Sequence, residues 1–163
     1  LNADCAVYGS HLPLDLHPEI GNNVLLAKEI GLEPCDTFLP FEGNDVGTIA
    51  AGPIERSDLR ARLQKAFPTT FRAVEFGSQK IERVAILTGS GQSAIPHLKA
   101  AGVDTFITGE VKQNNFNIAQ EEKLNLYLCG HYRTETFGIC ALAREVSEKF
   151  NLPWEFIETE CPL

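Results

Sequence analysis

The chain has 163 residues, 44% of them hydrophobic and 22% charged, a globular composition sufficient for one ordinary domain or two small ones. Lys and Arg total 14 against 22 acidic residues, a formal net charge of −8, and the cations are scattered, which argues against a nucleic-acid groove. No apolar run approaches the ~20 residues of a membrane helix, and no basic segment leads into an apolar one, so membrane and secretory readings are set aside.

Residues 5–8 form a short apolar run that reads as a buried strand, ending at Gly9 and leading into the polar turn 10–15. Asn22 and Asn23 are placed to cap a helix running to Ile30, which Gly31 ends. Between 35 and 53, Gly43, Gly47, Gly52, Pro40 and Pro53 interrupt short apolar pieces, which suggests short strands joined by turns. Ser57 suits the N-cap of a helix over 58–67, with Leu59, Leu63, Ala66 and Phe67 on one face. A strand is expected over 71–76.

From Ile81 onward the alternation is regular. Strands are expected at 84–87, 104–107, 124–129 and 154–157, and helices from the Gly91 loop to about Ala101, over 111–120 and over 135–150. Strand and helix alternating through short connections predict an α/β layer with a mostly parallel sheet. In such sheets the loops at the carboxyl ends of strands form the binding crevice. Three polar loops qualify: 9–15, 88–93 and 130–135.

The loop Gly130-His131-Tyr132-Arg133-Thr134-Glu135 sets an imidazole and a carboxylate four residues apart after a strand. They can converge on a metal, and this pairing of nitrogen and oxygen suits zinc, iron, manganese or nickel better than calcium. Equally, His131 can cap the sheet while Glu135 sits at a helix N-terminus, where the dipole favours it. His11 and Asp15 repeat the spacing, with the same two readings. His17 and His97 read as surface residues.

Gly89-Ser90-Gly91 can cradle an anion or simply allow close packing, and it lacks the lysine of a P-loop. Glu110 is left open, as a supporting carboxylate or a helix start. The five cysteines are odd in number and contain no C-x-x-C, so they read as reduced thiols. With no secretory signal, a cytoplasmic location is expected.

Four motifs stand in register: Tyr8 to Asp15 followed by His17 to Asn23, Gly89 to Ser93, Phe106 to Glu110, and Gly130 to Glu135. Together they resemble the Ngg-interacting-factor-three-like family, widely named GTP cyclohydrolase 1 type 2 homologs, and above all its short bacterial members. The resemblance implies a two-lobed α/β fold assembling into a toroidal hexamer around dinuclear metal centres. It implies metal ligation by Asp15, His131 and Glu135, with Glu135 bridging two divalent ions (Zn, Fe, Mn or Ni), and a proton-carrying or outer-ligand role for His11.

The family also supplies an adjacent His-His pair from an N-terminal strand, which this chain does not contain. The chain has no methionine either, so it is expected to be the C-terminal two-thirds of a single family domain. The expected function is a metal-dependent hydrolase of GTP-cyclohydrolase type, acting on a nucleotide or other small molecule. The alternatives are a non-enzymatic metal-binding scaffold or regulatory protein, and a nucleotide-binding module using the Gly89 loop. Neither direct nucleic-acid binding nor membrane association is expected.

Overall fold

The alternation of Val84 and Ile86 with Ala85 sends successive side chains to opposite faces of one strand. Ile107 with Phe106, and Tyr127 with Leu126, do the same in its neighbours, and each set joins a separate core cluster. The sequence therefore dictates a sheet covered on both sides. The structure, a computed structural model, describes residues 4–159 and 161.

In chain order its elements are α1 (Leu12–Asp15), α2 (Asn22–Glu29), β1 (Glu33–Phe41), β2 (Asn44–Glu55), α3 (Arg56–Ala66), β3 (Arg72–Glu75) and β4 (Lys80–Ser90). A 3₁₀ turn (Ile95–His97), β5 (Thr105–Glu110), α4 (Asn115–Glu122), β6 (Asn125–Leu128), α5 (His131–Thr134) and α6 (Thr136–Phe150) complete them. The strands form one six-stranded sheet in the order β1-β2-β4-β5-β6-β3. Leu26 of α2 and Leu59 and Leu63 of α3 cover one face. Ile95, Leu98 and Ala119 cover the other.

The α/β class holds, and the sheet is mixed. Parallel pairing is confined to β4-β5 and β5-β6, whereas β1-β2, β2-β4 and β3-β6 are antiparallel. A two-residue connection leaves β1 and β2 no other choice, since parallel neighbours need a crossover. Glu42 (φ 48°) and Gly43 (φ 84°) supply the positive φ values such a turn demands.

Several local expectations give way. Residues 5–8 form no strand, and Val7 and Tyr8 are each 80% exposed. Residues 154–157 form none either, and Ile157 lies in solvent. A four-residue apolar run becomes a strand only where an edge accepts its backbone groups.

The segment 35–53 belongs to two long strands, not several short ones. Gly47 marks no turn there: Phe38 is its cross-strand partner, and an added Cβ would strike the Phe38 ring. Pro34 and Pro40 are tolerated because β1 is an edge strand. The helix expected to reach Ala101 is only the 3₁₀ turn, and α4 starts later than expected, at Asn115. The N-cap of α3 is Glu55, with Ser57 inside the helix. Among the described residues no helix is long and apolar enough to cross a membrane.

Candidate metal centre

Because β4, β5 and β6 run parallel, their carboxyl ends lie side by side. The chain leaves them through Gly89–Ser90, Glu110 and His131. The β5–β6 ladder continues past the strand, with Cys129 N–H donating to Thr108 O (2.9 Å) and Gly130 N–H to Gly109 O (2.9 Å). Gly130, at φ 92°, then turns the backbone into the single turn of α5. That turn brings His131 Nε2 to 3.4 Å from Glu135 Oε1.

The pair rests on Gly89. A Cβ added there would collide with Glu135 Oε1 and lie 3.1 Å from His131 Nε2, and φ 65° disfavours a side chain in any case. Gly89 N–H is held by Thr134 Oγ1 (3.0 Å), which in turn lies 3.0 Å from the carbonyls of Gly130 and His131. Loop 88–91 and turn 130–135 are thus one hydrogen-bonded unit.

On its other nitrogen, His131 Nδ1 is 2.9 Å from Glu110 Oε1. That hydrogen bond, chiefly, raises the imidazole pKa above its ordinary value; burial opposes the shift and the Glu135 charge adds to it. An ionised carboxylate only accepts, so a hydrogen bond there requires the proton on Nδ1. A bare Nε2 facing a carboxylate oxygen is then a contact between two acceptors. It calls for positive charge, either a proton on Nε2 or a metal ion.

Asp15 reaches the site on α1 and is fixed from behind. Asn22 Nδ2 donates to Asp15 Oδ1 (2.7 Å), and Asn22 Oδ1 accepts from Gly138 N–H (2.7 Å). One buried amide therefore ties Asp15 to the start of α6. Its neighbour Asn23 links Val46 O (2.9 Å) to Thr88 N–H (2.8 Å). The pair read as helix caps are internal braces; the N-cap of α2 is Gly21.

All four residues singled out from the sequence, His11, Asp15, His131 and Glu135, line one cavity of about 360 Å³, with Phe41 and Ser90 among its other walls. The shared cavity is not a closed cluster: among the described residues no group of three His, Cys, Asp or Glu side chains stands ready to hold a metal ion. His97 is exposed, whereas His17 Nδ1 accepts from Glu19 and Ile20 N–H (3.2 Å each) and so braces a turn.

The anion-cradle reading of the glycine loop loses its basis. No α-helix follows it, and the N–H groups of Gly89 and Gly91 are already given to Thr134 Oγ1 and Glu110 O. Sequence reasoning missed Asn22, because a polar pair before a helix signals a cap unless its burial is known. It also missed Thr134, whose hydroxyl role depends on a loop 45 residues away.

Fold and cavity together define an α/β protein that gathers imidazole and carboxylate groups at the carboxyl ends of a short parallel ladder. The family model described as Duf34/NIF3 (NGG1p interacting factor 3) matches residues 1–162, and the chain belongs to that family. It is 36% identical over 159 residues to a Deinococcus radiodurans protein named GTP cyclohydrolase 1 type 2 homolog, covering 96% of this chain and 60% of the relative. Among solved structures it is similar to ybgI, a protein of unknown function, with a TM-score of 0.85, 34% identity, and coverage of 96% of this chain and 62% of that one. It is also similar to TTHA1606 from Thermus thermophilus, with a TM-score of 0.81, 36% identity and the same coverage. The chain thus spans somewhat less than two thirds of the length of these relatives.

Proposed function

We propose that the cavity is the divalent-metal centre of a hydrolase acting on a nucleotide or other small molecule. The observation that carries this is the 3.4 Å approach of His131 Nε2 to Glu135 Oε1 over Gly89, with Nδ1 already engaged by Glu110. Two acceptors facing each other, one of them a nitrogen, are the donor set of a transition-metal site. Asp15 adds a second carboxylate lining the same cavity. His131, Glu135 and Asp15 would hold a first ion; a second ion of the expected pair needs donors beyond these.

When bound, such an ion supplies Lewis acidity and acidifies its water toward neutrality. This chain's own residues do the rest. Glu135 and Asp15 balance the cationic charge. His11, exposed and lining the cavity, takes the proton from the attacking water and returns it to the leaving atom, a role for which an imidazole is suited.

The name borne by the relatives points to GTP. Phe41, Leu12 and Leu87 offer an apolar wall to a ring face, and Ser90 and Ser93 offer hydroxyls to its edge. No Lys or Arg is among the described residues lining the cavity, so positive charge for a phosphate there would come from the bound ion. The chain's place of action is the cytoplasm in this reading, supported by five cysteines that are all free.

The test is elemental analysis of the purified protein beside His131→Ala and Glu135→Ala, followed by assay of the metal-loaded protein on a nucleotide panel with and without chelator. Bound transition metal lost in both variants, and turnover abolished by chelator, is the expected result. Metal retained in both variants would overturn the site. Metal bound with no turnover on any substrate would turn the reading to a scaffold.

A further inference from the structure

Glu110 stands apart from the cavity. It does not line it, yet its carboxylate lies 2.9 Å from the far nitrogen of His131, so whatever it does there it does through that ring. Its backbone is tightly placed. Glu110 pairs with Ser90 across the parallel ladder, and its carbonyl accepts from Gly91 N–H (3.0 Å). The chain just beyond is clamped as well: Gln92 Oε1 accepts from Lys112 N–H (3.1 Å) and from Asn115 Nδ2 (2.6 Å). A carboxylate carried on such a backbone can hold a ring orientation, where one on a loose loop would follow the ring.

We propose that Glu110 is a positioning residue for His131: its carboxylate holds the ring in the Nδ1–H form and turns Nε2, as a bare donor, toward Glu135 and the cavity. The inference rests on the reading of His131 as a metal ligand. Neutral imidazole carries its proton on Nε2 unless something favours the other nitrogen, and a ligand that must first move a proton binds weakly. Glu110 removes that obstacle before any ion arrives. Glu135 cannot do so, because it faces Nε2, the nitrogen that must be free.

The pair is half exposed, with side-chain exposures of 43% for His131 and 53% for Glu110, so as an ion pair it contributes little to stability. A purely structural role is therefore separable from a positioning role. In the wild-type protein, above the imidazole titration range, long-range ¹H–¹⁵N correlation should show His131 as the Nδ1–H form. Glu110→Ala should shift it to Nε2–H with an unchanged melting temperature. Zinc affinity, measured by competition with a chromophoric chelator, should fall about tenfold, at the low end for a supporting partner because the pair is half exposed. Glu110→Gln, whose amide oxygen still accepts from Nδ1–H, should restore most of both.

A wild-type His131 found as Nε2–H would overturn the proposal. So would a Glu110→Ala protein that binds zinc as tightly as wild type while His131→Ala does not. Equal zinc affinity in wild type and His131→Ala would instead overturn the metal reading. The tautomer measurement, made without metal, would still decide whether Glu110 sets the ring.

Discussion

The two banks of the cavity are built differently. On one, His131 and Glu135 stand at the end of a parallel ladder, braced by Glu110, Thr134 and Gly89 through backbone and side-chain hydrogen bonds. On the other, Asp15 rides on the single turn of α1, anchored by buried Leu14 and the one bond from Asn22. Among the described residues no hydrogen bond reaches the His11 side chain, and irregular, mostly exposed chain precedes it. In the proposed reading the difference separates His11 from the ligands. Donors that hold a cation need fixed geometry, which the sheet end gives His131 and Glu135 and the Asn22 bond gives Asp15. A proton carrier must change partners, and a side chain without a hydrogen bond is able to.

Substitutions on each bank can break this comparison. The largest effect is expected at His11. His11→Ala should lower turnover by about 10²–10⁴-fold while leaving metal content and melting temperature unchanged. A parallel loss of metal would place His11 among the holders instead.

Gly89→Ala should act through the opposite bank. The left-handed backbone alone costs about 1–2 kcal/mol, and the new methyl displaces Glu135, so metal affinity should fall by more than about tenfold. The expected drop in melting temperature is about 2–8 °C. An Ala variant with normal metal content would show that the close approach is not required.

Asn22→Ala leaves the buried Gly138 N–H and the Asp15 carboxylate without their shared partner. A loss of about 1–3 kcal/mol is expected, read in urea, together with weaker metal binding. If stability falls but metal affinity does not, Asp15 is not a ligand.

The smallest effect concerns the face beneath the site. Burial pushes the Cys129 thiol up to about 12, and burial aided by Glu75 raises Tyr127 above the ordinary phenol value. The folded state therefore keeps protons that the unfolded chain releases, so stability should decline as pH rises above roughly 8.5, by about 1 kcal/mol near pH 9. A urea midpoint that rises over this range would contradict the burial. A thiol reagent should modify exposed Cys5, Cys35 and Cys161 quickly, and Cys129 only on unfolding.

Periodicity made much of the fold legible. The helix face of Leu59 and Leu63 and the strands at 84–87, 104–107 and 124–129 were readable because each carries its own apolar period. Short polar spacings marked His11 with Asp15 and His131 with Glu135 as candidates, their ligand roles came only from the family resemblance, and the cavity does bring the four together. Residues 5–8 and 154–157 were misread because a run of four says nothing about a pairing partner. Gly47 and Gly52 looked like turns and sit inside β2, because what they accommodate lies on other strands.

By itself, then, the sequence determined the class of the fold, the elements with a period of their own and the residue types available for chemistry, since all of these are local properties. Tertiary structure alone decided that the sheet is mixed, that Asn22 and Thr134 brace the site, and which nitrogen of His131 faces the cavity. Those facts belong to pairs of groups far apart in the chain. Hydrogen bonds that short cannot be assigned until folding has brought both partners to within about 3 Å.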